Sequence, residues 1–134
     1  MSKSTGVSPT ALASDGKFII GMKGGFCNTM LAGKIVQSYC NDVTIHNSES
    51  PLVELYFTNN YKVLCTADTE FLCDGGSVHC KLLHPGDIMF TSDDSKVELK
   101  SFQFHREDDA VISVSLDAGD YVELSNHIFV KIGV

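Results

Sequence analysis

The sequence predicts an all-β fold, a single compact antiparallel domain behind an extended N-terminal arm. Three observations carry this expectation. Apolar residues come in short runs or alternate with polar ones, as in Leu52–Phe57 and Lys62–Cys65, and no long segment keeps the 3.6-residue period of a helix. The runs are bounded closely by Gly, Pro, Asn and Asp, as strands joined by tight turns are. A chain of 134 residues also makes one domain, large enough to bury most of its apolar surface without staples.

In chain order, residues 1–16 are rich in Ser, Thr, Gly and Ala around Pro9 and read as an arm, flexible or ordered by a partner. The β-domain then spans residues 17–134. Lys17–Met22 is expected as its first strand, broken by Lys23-Gly24-Gly25. Leu52–Phe57 and Lys62–Cys65 form a hairpin across Thr58-Asn59-Asn60-Tyr61, with Asn59-Asn60 as a two-residue loop, because Asn tolerates positive φ. Leu83–Phe90 reads as a Pro85-Gly86-Asp87 turn followed by a buried strand. A second hairpin is expected between Lys96–His105 and Ala110–Leu116 across Arg106-Glu107-Asp108-Asp109. The apolar alternation slips between Leu99 and Phe102, which predicts a bulge near Lys100-Ser101. Tyr121–Leu124 and His127–Ile132 close the domain as a last strand pair.

The formal charge of −7 argues against nucleic acid as the main partner, since phosphate binding needs a basic surface. Within residues 1–36, Lys3, Lys17, Lys23 and Lys34 oppose Asp15 alone, so the remaining body is distinctly acidic. A mildly basic arm on an acidic body suits protein contacts, with copies of the chain or with a larger assembly; a solvated tail is the bland alternative. The opening stretch has no apolar secretory core and no segment has the length of a membrane span, so a cytoplasmic protein that makes no membrane contact is expected. Its five cysteines, at positions 27, 40, 65, 73 and 80, are then reduced thiols.

Leu52–Leu72 is similar to a catalytic segment of the Hedgehog/intein (Hint) family, a strand pair ending in T-x-x-H and followed by Phe-Leu. Here the four residues are Thr66-Ala67-Asp68-Thr69. Asp74–Ile88 resembles the family's next block, and Val111–Ile132 its terminal block, so the resemblance covers residues 27–132. It implies a partly barrel-like antiparallel fold. It also implies a self-processing site, with Cys27 as the nucleophile that attacks the preceding carbonyl, Thr66 as the polar group on the scissile amide, and Thr69 and Asp120 at two positions where the family carries histidine. A threonine hydroxyl cannot exchange protons near neutral pH as imidazole does. Lys131-Ile132 stands where the family has His-Asn, so no side-chain amide remains to release a downstream segment.

The reading is therefore a non-catalytic β-scaffold for protein contacts through its arm and strand edges. By analogy of size and fold it extends to an accessory structural protein of a phage particle, which would place it in a virion. One alternative is an autoprocessing domain that cleaves before Cys27 by thioester chemistry. The other is a small metal- or ligand-binding β-module. Cys73, His79, Cys80 and His84 invite zinc, but neighbours on a strand face opposite ways, so no metal site is assigned. Asp93-Asp94 and Glu107-Asp108-Asp109 read as solvated turn carboxylates. Gly24-Gly25 and Gly75-Gly76 lack the strand–helix context of a phosphate loop, and no cofactor is expected.

Overall fold

A computed structural model describes residues 3–48, 50–104 and 110–132. The described residues form β1 (Lys3–Ser4), β2 (Phe26–Leu31), β3 (Lys34–Asn47), β4 (Leu52–Phe57), β5 (Lys62–Thr66), β6 (Glu70–Cys73), β7 (Gly76–His79), β8 (Ile88–Met89), β9 (Val97–Phe104), β10 (Ala110–Leu116), β11 (Tyr121–Glu123) and β12 (Phe129–Lys131). Two short 3-10 turns stand at Ile19–Gly21 and Cys80–Leu82. One sheet runs β1-β10-β3-β2. The other runs β11-β12-β6-β8-β9-β4-β5, with β7 added beside β6. Each strand pairing is antiparallel, so the all-β antiparallel expectation holds.

The period-2 pattern explains the inner faces. In β4 and β5, Leu55, Phe57, Val63 and Cys65 point into the core and alternate with half-buried Glu54, Tyr56 and Leu64. They meet Phe71, Met89, Val97, Leu99 and the C-terminal Val122, Leu124, Ile128 and Val130. Burying such side chains contributes roughly 1.5–3 kcal/mol each. Val111–Val114 of β10 is buried throughout, including Ser113, whose hydroxyl is paired with the His46 Nε2 at 2.8 Å, as a buried polar group requires.

The structure changes four sequence expectations. The N-terminal segment is not a free arm over its described length: Thr5, Gly6, Val7 and Ser8 are buried. The Thr5 hydroxyl donates to the Ile112 carbonyl at 2.9 Å, and the Ser8 N–H donates to the Leu64 carbonyl at 2.9 Å. The hydroxyls that made this segment look solvated satisfy backbone groups inside the fold instead.

Lys17–Met22 is not a strand but carries the first 3-10 turn, with Ile19 buried between exposed Phe18 and Ile20. β9 and β10 do not pair with each other. β9 lies between β8 and β4, and β10 between β1 and β3, because alternation selects a face and not a partner. The connecting residues 105–109, with the carboxylates expected there, lie outside the described set. β4 and β5 are joined by Thr58–Tyr61 as expected, but the Phe57 N–H donates to the Tyr61 carbonyl at 2.9 Å, so the loop inside that bond holds three residues, Thr58–Asn60, and not two, with Asn60 at φ 62°.

The buried strand expected after Pro85-Gly86-Asp87 is the two-residue β8, in which Met89 is buried and Ile88 exposed; the bulge in β9 and the closing strand pair stand as expected. Tyr56 faces Ser101 and Phe57 faces Leu99, which leaves Lys100 as the extra residue of a bulge. β11 and β12 form the closing pair.

Candidate functional site

The Thr66–Thr69 turn leaves the end of β5 and enters β6. The two hydroxyls lie 3.0 Å apart and bond to each other. The Thr69 N–H closes the turn on the Thr66 carbonyl at 3.1 Å. What the turn grips is the N-terminal segment: the Thr66 N–H donates to the Gly6 carbonyl at 2.9 Å. Gly6 has φ +74°, and a Cβ on it would fall on the Thr69 hydroxyl and 2.6 Å from the Thr66 Oγ1. Only glycine fits there, for conformation and for space. The Gly6 N–H in turn donates to the Ser4 Oγ at 3.1 Å.

Asp68 points away from this contact. It is exposed and ion-paired with Lys81 at 2.9 Å; the hydrogen bond from Lys81 holds its carboxyl below the usual range. Thr69 is buried, and the described contacts of the turn bring it no imidazole.

Cys27 is elsewhere. It sits in β2 opposite Ser38 and lines a depression of about 420 Å³ shared with Asn28, Ser92, Asp93, Glu123 and His127. Burial, then Cys40 and Glu123 nearby, push its thiol up from 9.0 to about 11. It is therefore almost wholly protonated near neutral pH, the form without nucleophilic power. Asp120 is in a third place, at the approach to β11, where its carbonyl accepts the Ile132 N–H at 2.7 Å. So Thr66 and Thr69 come together, while Cys27 and Asp120 join neither them nor one another.

Sequence reasoning missed the polar groups around Glu123. This carboxylate is only 2% exposed. It accepts from the Asn28 Nδ2 at 2.7 Å and from the Ser92 hydroxyl. The His127 imidazole stands between two carboxylates, with Nδ1 3.3 Å from Glu123 and Nε2 3.5 Å from Asp93. Asp93 is held below the usual carboxyl range by hydrogen bonds from Ser95 and, more weakly, by His127. His127 itself has φ 70°, an uncommon backbone for a residue with a side chain. The one sequence signal was a charge inside an apolar run, Glu123 between Val122 and Leu124.

The Cys73-His79-Cys80-His84 set does not converge. His79 lies by the Asp68 carbonyl at 3.2 Å, His84 is exposed beside Asp87, and Cys80 meets Cys65. Among the described residues, no three His, Cys, Asp or Glu side chains are placed to hold a metal ion. Nor is any described helix long and apolar enough to cross a membrane.

No family model matches the sequence, and no curated protein does. The fold does match solved structures. A DnaB intein from Synechocystis superposes with a TM-score of 0.75 at 17% identity, covering 99% of each chain. A bacterial intein-like domain from Clostridium thermocellum gives a TM-score of 0.74 at 14% identity, covering 98% of each. The gp41-1 intein gives 0.68 at 9% identity, with 97% and 98% covered. At these identities the likeness is one of architecture, and it extends through both sheets: the chain has the Hint fold of the inteins.

Proposed function

We propose that this chain uses the Hint fold as a non-catalytic scaffold for protein contacts. The observation that carries the reading is the closed Thr66–Thr69 pair. Its hydroxyls are bonded to each other at 3.0 Å and covered by the Gly6 backbone, so the turn offers a peptide bond no group that takes up and returns a proton near pH 7. The protonated thiol of Cys27 supports the same reading. The surface for contact is the β2–β3 hairpin. Phe26 is 68% exposed, and Leu31, Ile35 and Tyr39 are exposed with it; Phe26 rests edge-on against Tyr39 at 5.6 Å. Clustered exposed apolar residues mark interaction surfaces. An acidic chain favours a protein partner over nucleic acid. A place in a phage particle rests on size and fold alone.

A second reading, retained autoprocessing, is favoured by one observation: the turn still holds a backbone segment, and that segment is Ser4–Gly6 (Thr66 N–H to Gly6 carbonyl, 2.9 Å). The geometry supports a reacting bond there in preference to the one before Cys27. Intact mass of the purified chain, before and after prolonged incubation with thiol and hydroxylamine, separates the readings. The scaffold predicts an unchanged mass. A product lacking residues 1–26, or one cut within residues 3–6, overturns it.

A further inference from the structure

Next to the Thr66–Thr69 turn lies a pair of groups that neither reading uses. Cys65 is the β5 residue immediately before Thr66, and Cys80 opens the second 3-10 turn. The chain between them passes through the Thr66–Thr69 turn, out along β6 and back along β7, which pair in register from Glu70·His79 to Cys73·Gly76. This hairpin returns Cys80 to the base of the turn. There its N–H donates to the Thr69 carbonyl at 2.7 Å, and the next N–H, of Lys81, donates to the Ala67 carbonyl at 3.0 Å. The two sulfurs meet at 3.9 Å, and both cysteines are free.

We propose that Cys65 and Cys80 form an oxidisable thiol pair, a modification site at which a small hydroperoxide produces a disulfide. The sulfurs are already in contact at 3.9 Å, and reaching a bond length of about 2.05 Å takes a shift of roughly 2 Å.

The pair is also polarised. Cys65 donates its hydrogen to Cys80. This bond, together with burial, pushes the Cys65 thiol up; the same bond holds the Cys80 thiol down. Cys80 is therefore the attacking sulfur, since the thiolate is the nucleophile. Access matches this order. Cys65 is 0% exposed and Cys80 5%, and Cys80 lines an apolar depression of about 200 Å³ with Leu83, Leu99, Phe102 and Lys81. A small oxidant entering there reaches Cys80 first.

The chemistry balances in two steps. The Cys80 thiolate attacks one peroxide oxygen and the O–O bond breaks, giving a sulfenic acid and a hydroxide, which takes up a proton to become water. The Cys65 sulfur then attacks the Cys80 sulfur. An S–S bond forms, the S–O bond breaks, and the departing hydroxide leaves with the Cys65 proton as water. The two thiols lose two electrons, and hydrogen peroxide accepts them to become two waters. The product ties β5 to the second 3-10 turn across the base of the Thr66–Thr69 turn.

The test treats the reduced full chain with hydrogen peroxide, then quenches and alkylates under denaturing conditions. Titratable thiols should fall from five to three, and a non-reducing peptide map should show a Cys65–Cys80 link. The intact mass should drop by about 2 Da, reversibly with dithiothreitol. In Cys65→Ala, Cys80 should stop at the sulfenic acid and be labelled by dimedone; in Cys80→Ala that label should be absent. Retention of all five thiols, or loss of Cys27 or Cys73 before this pair, overturns the proposal. The wild-type map alone decides it should either variant fail to fold.

Discussion

Gly6 shows how one residue without a side chain shapes the centre of this domain. Its positive φ and the two threonine hydroxyls against it leave no place for a Cβ. Gly6→Ala adds a left-handed strain of about 1–2 kcal/mol to an overpacking cost of about 1–3 kcal/mol. A loss of at least 2 kcal/mol should appear in the denaturant midpoint, and a change below about 0.5 kcal/mol, the usual range for surface sites, would contradict this packing. Cys27 makes a different prediction. Its folded-state thiol sits near 11 against 9.0 for the free group, so the folded state holds a proton that the unfolded state releases. Its contribution is complete below pH 9 and is lost as the pH rises from 9 to 11. Cys73, raised to about 11 by burial and then by Asp87 and Asp74, acts in the same direction. Cys27→Ser should therefore make stability fall less steeply between pH 9 and 11, read from denaturant melts at several pH values; parallel slopes would refute it. The threonine pair was legible in the sequence because its spacing sits inside a recognisable frame. Its true neighbour, Gly6, was not, because the two are 60 residues apart and nothing local links them. The Glu123–His127–Asp93 arrangement escaped for the same reason: it forms only when the turns flanking β9 and β12 close on β2.

At the scale of elements, local chemistry was read well and pairing was not. The β4–β5 turn was recognised from its asparagines, yet it holds three residues and uses only Asn60 at positive φ. Asn tolerates this conformation better than other side chains, so Asn60→Ala should cost about 1 kcal/mol, while Asn60→Gly should be neutral or slightly stabilising. Thermal melts of the two variants check the order, and Ala matching Gly would show that φ does not matter there. The β2–β3 hairpin turns at a site whose sequence signal is weak. Ala32 and Gly33 both have positive φ, and Leu31 pairs with Lys34, the two-residue geometry that matches strand twist. Alanine in the first position disguised it. The error over β9 and β10 has a plain physical cause. Alternation marks which side of a strand can be buried and says nothing of which strand lies beside it; β9 pairs with β8 and β4, and β10 with β1 and β3.

At the scale of the molecule, the fold class was the most legible property because it depends on periodicity summed over many segments. The closure of the fold was the least legible. The N-terminal segment lies between β10 and the end of β5, bonded to Ile112 on one side and to Leu64 and Thr66 on the other. In this way Thr5 to Ser8 join the smaller sheet to the larger one. A composition of Ser, Thr and Gly gives no sign of this, since polar segments become core only when their hydroxyls and peptides find partners. The joint also sets an order of events. Thr5 and Ile112 are 107 residues apart, and contacts across so much chain are slow to form because the intervening loop must be closed first. On the ribosome Thr5–Ser8 emerge well before β10, and that side of the segment has no partner until β10 has been made. The domain's earliest-synthesised strand is among the last to be set in place, and until then the row of peptide groups along β10 stays open to any other strand that reaches it.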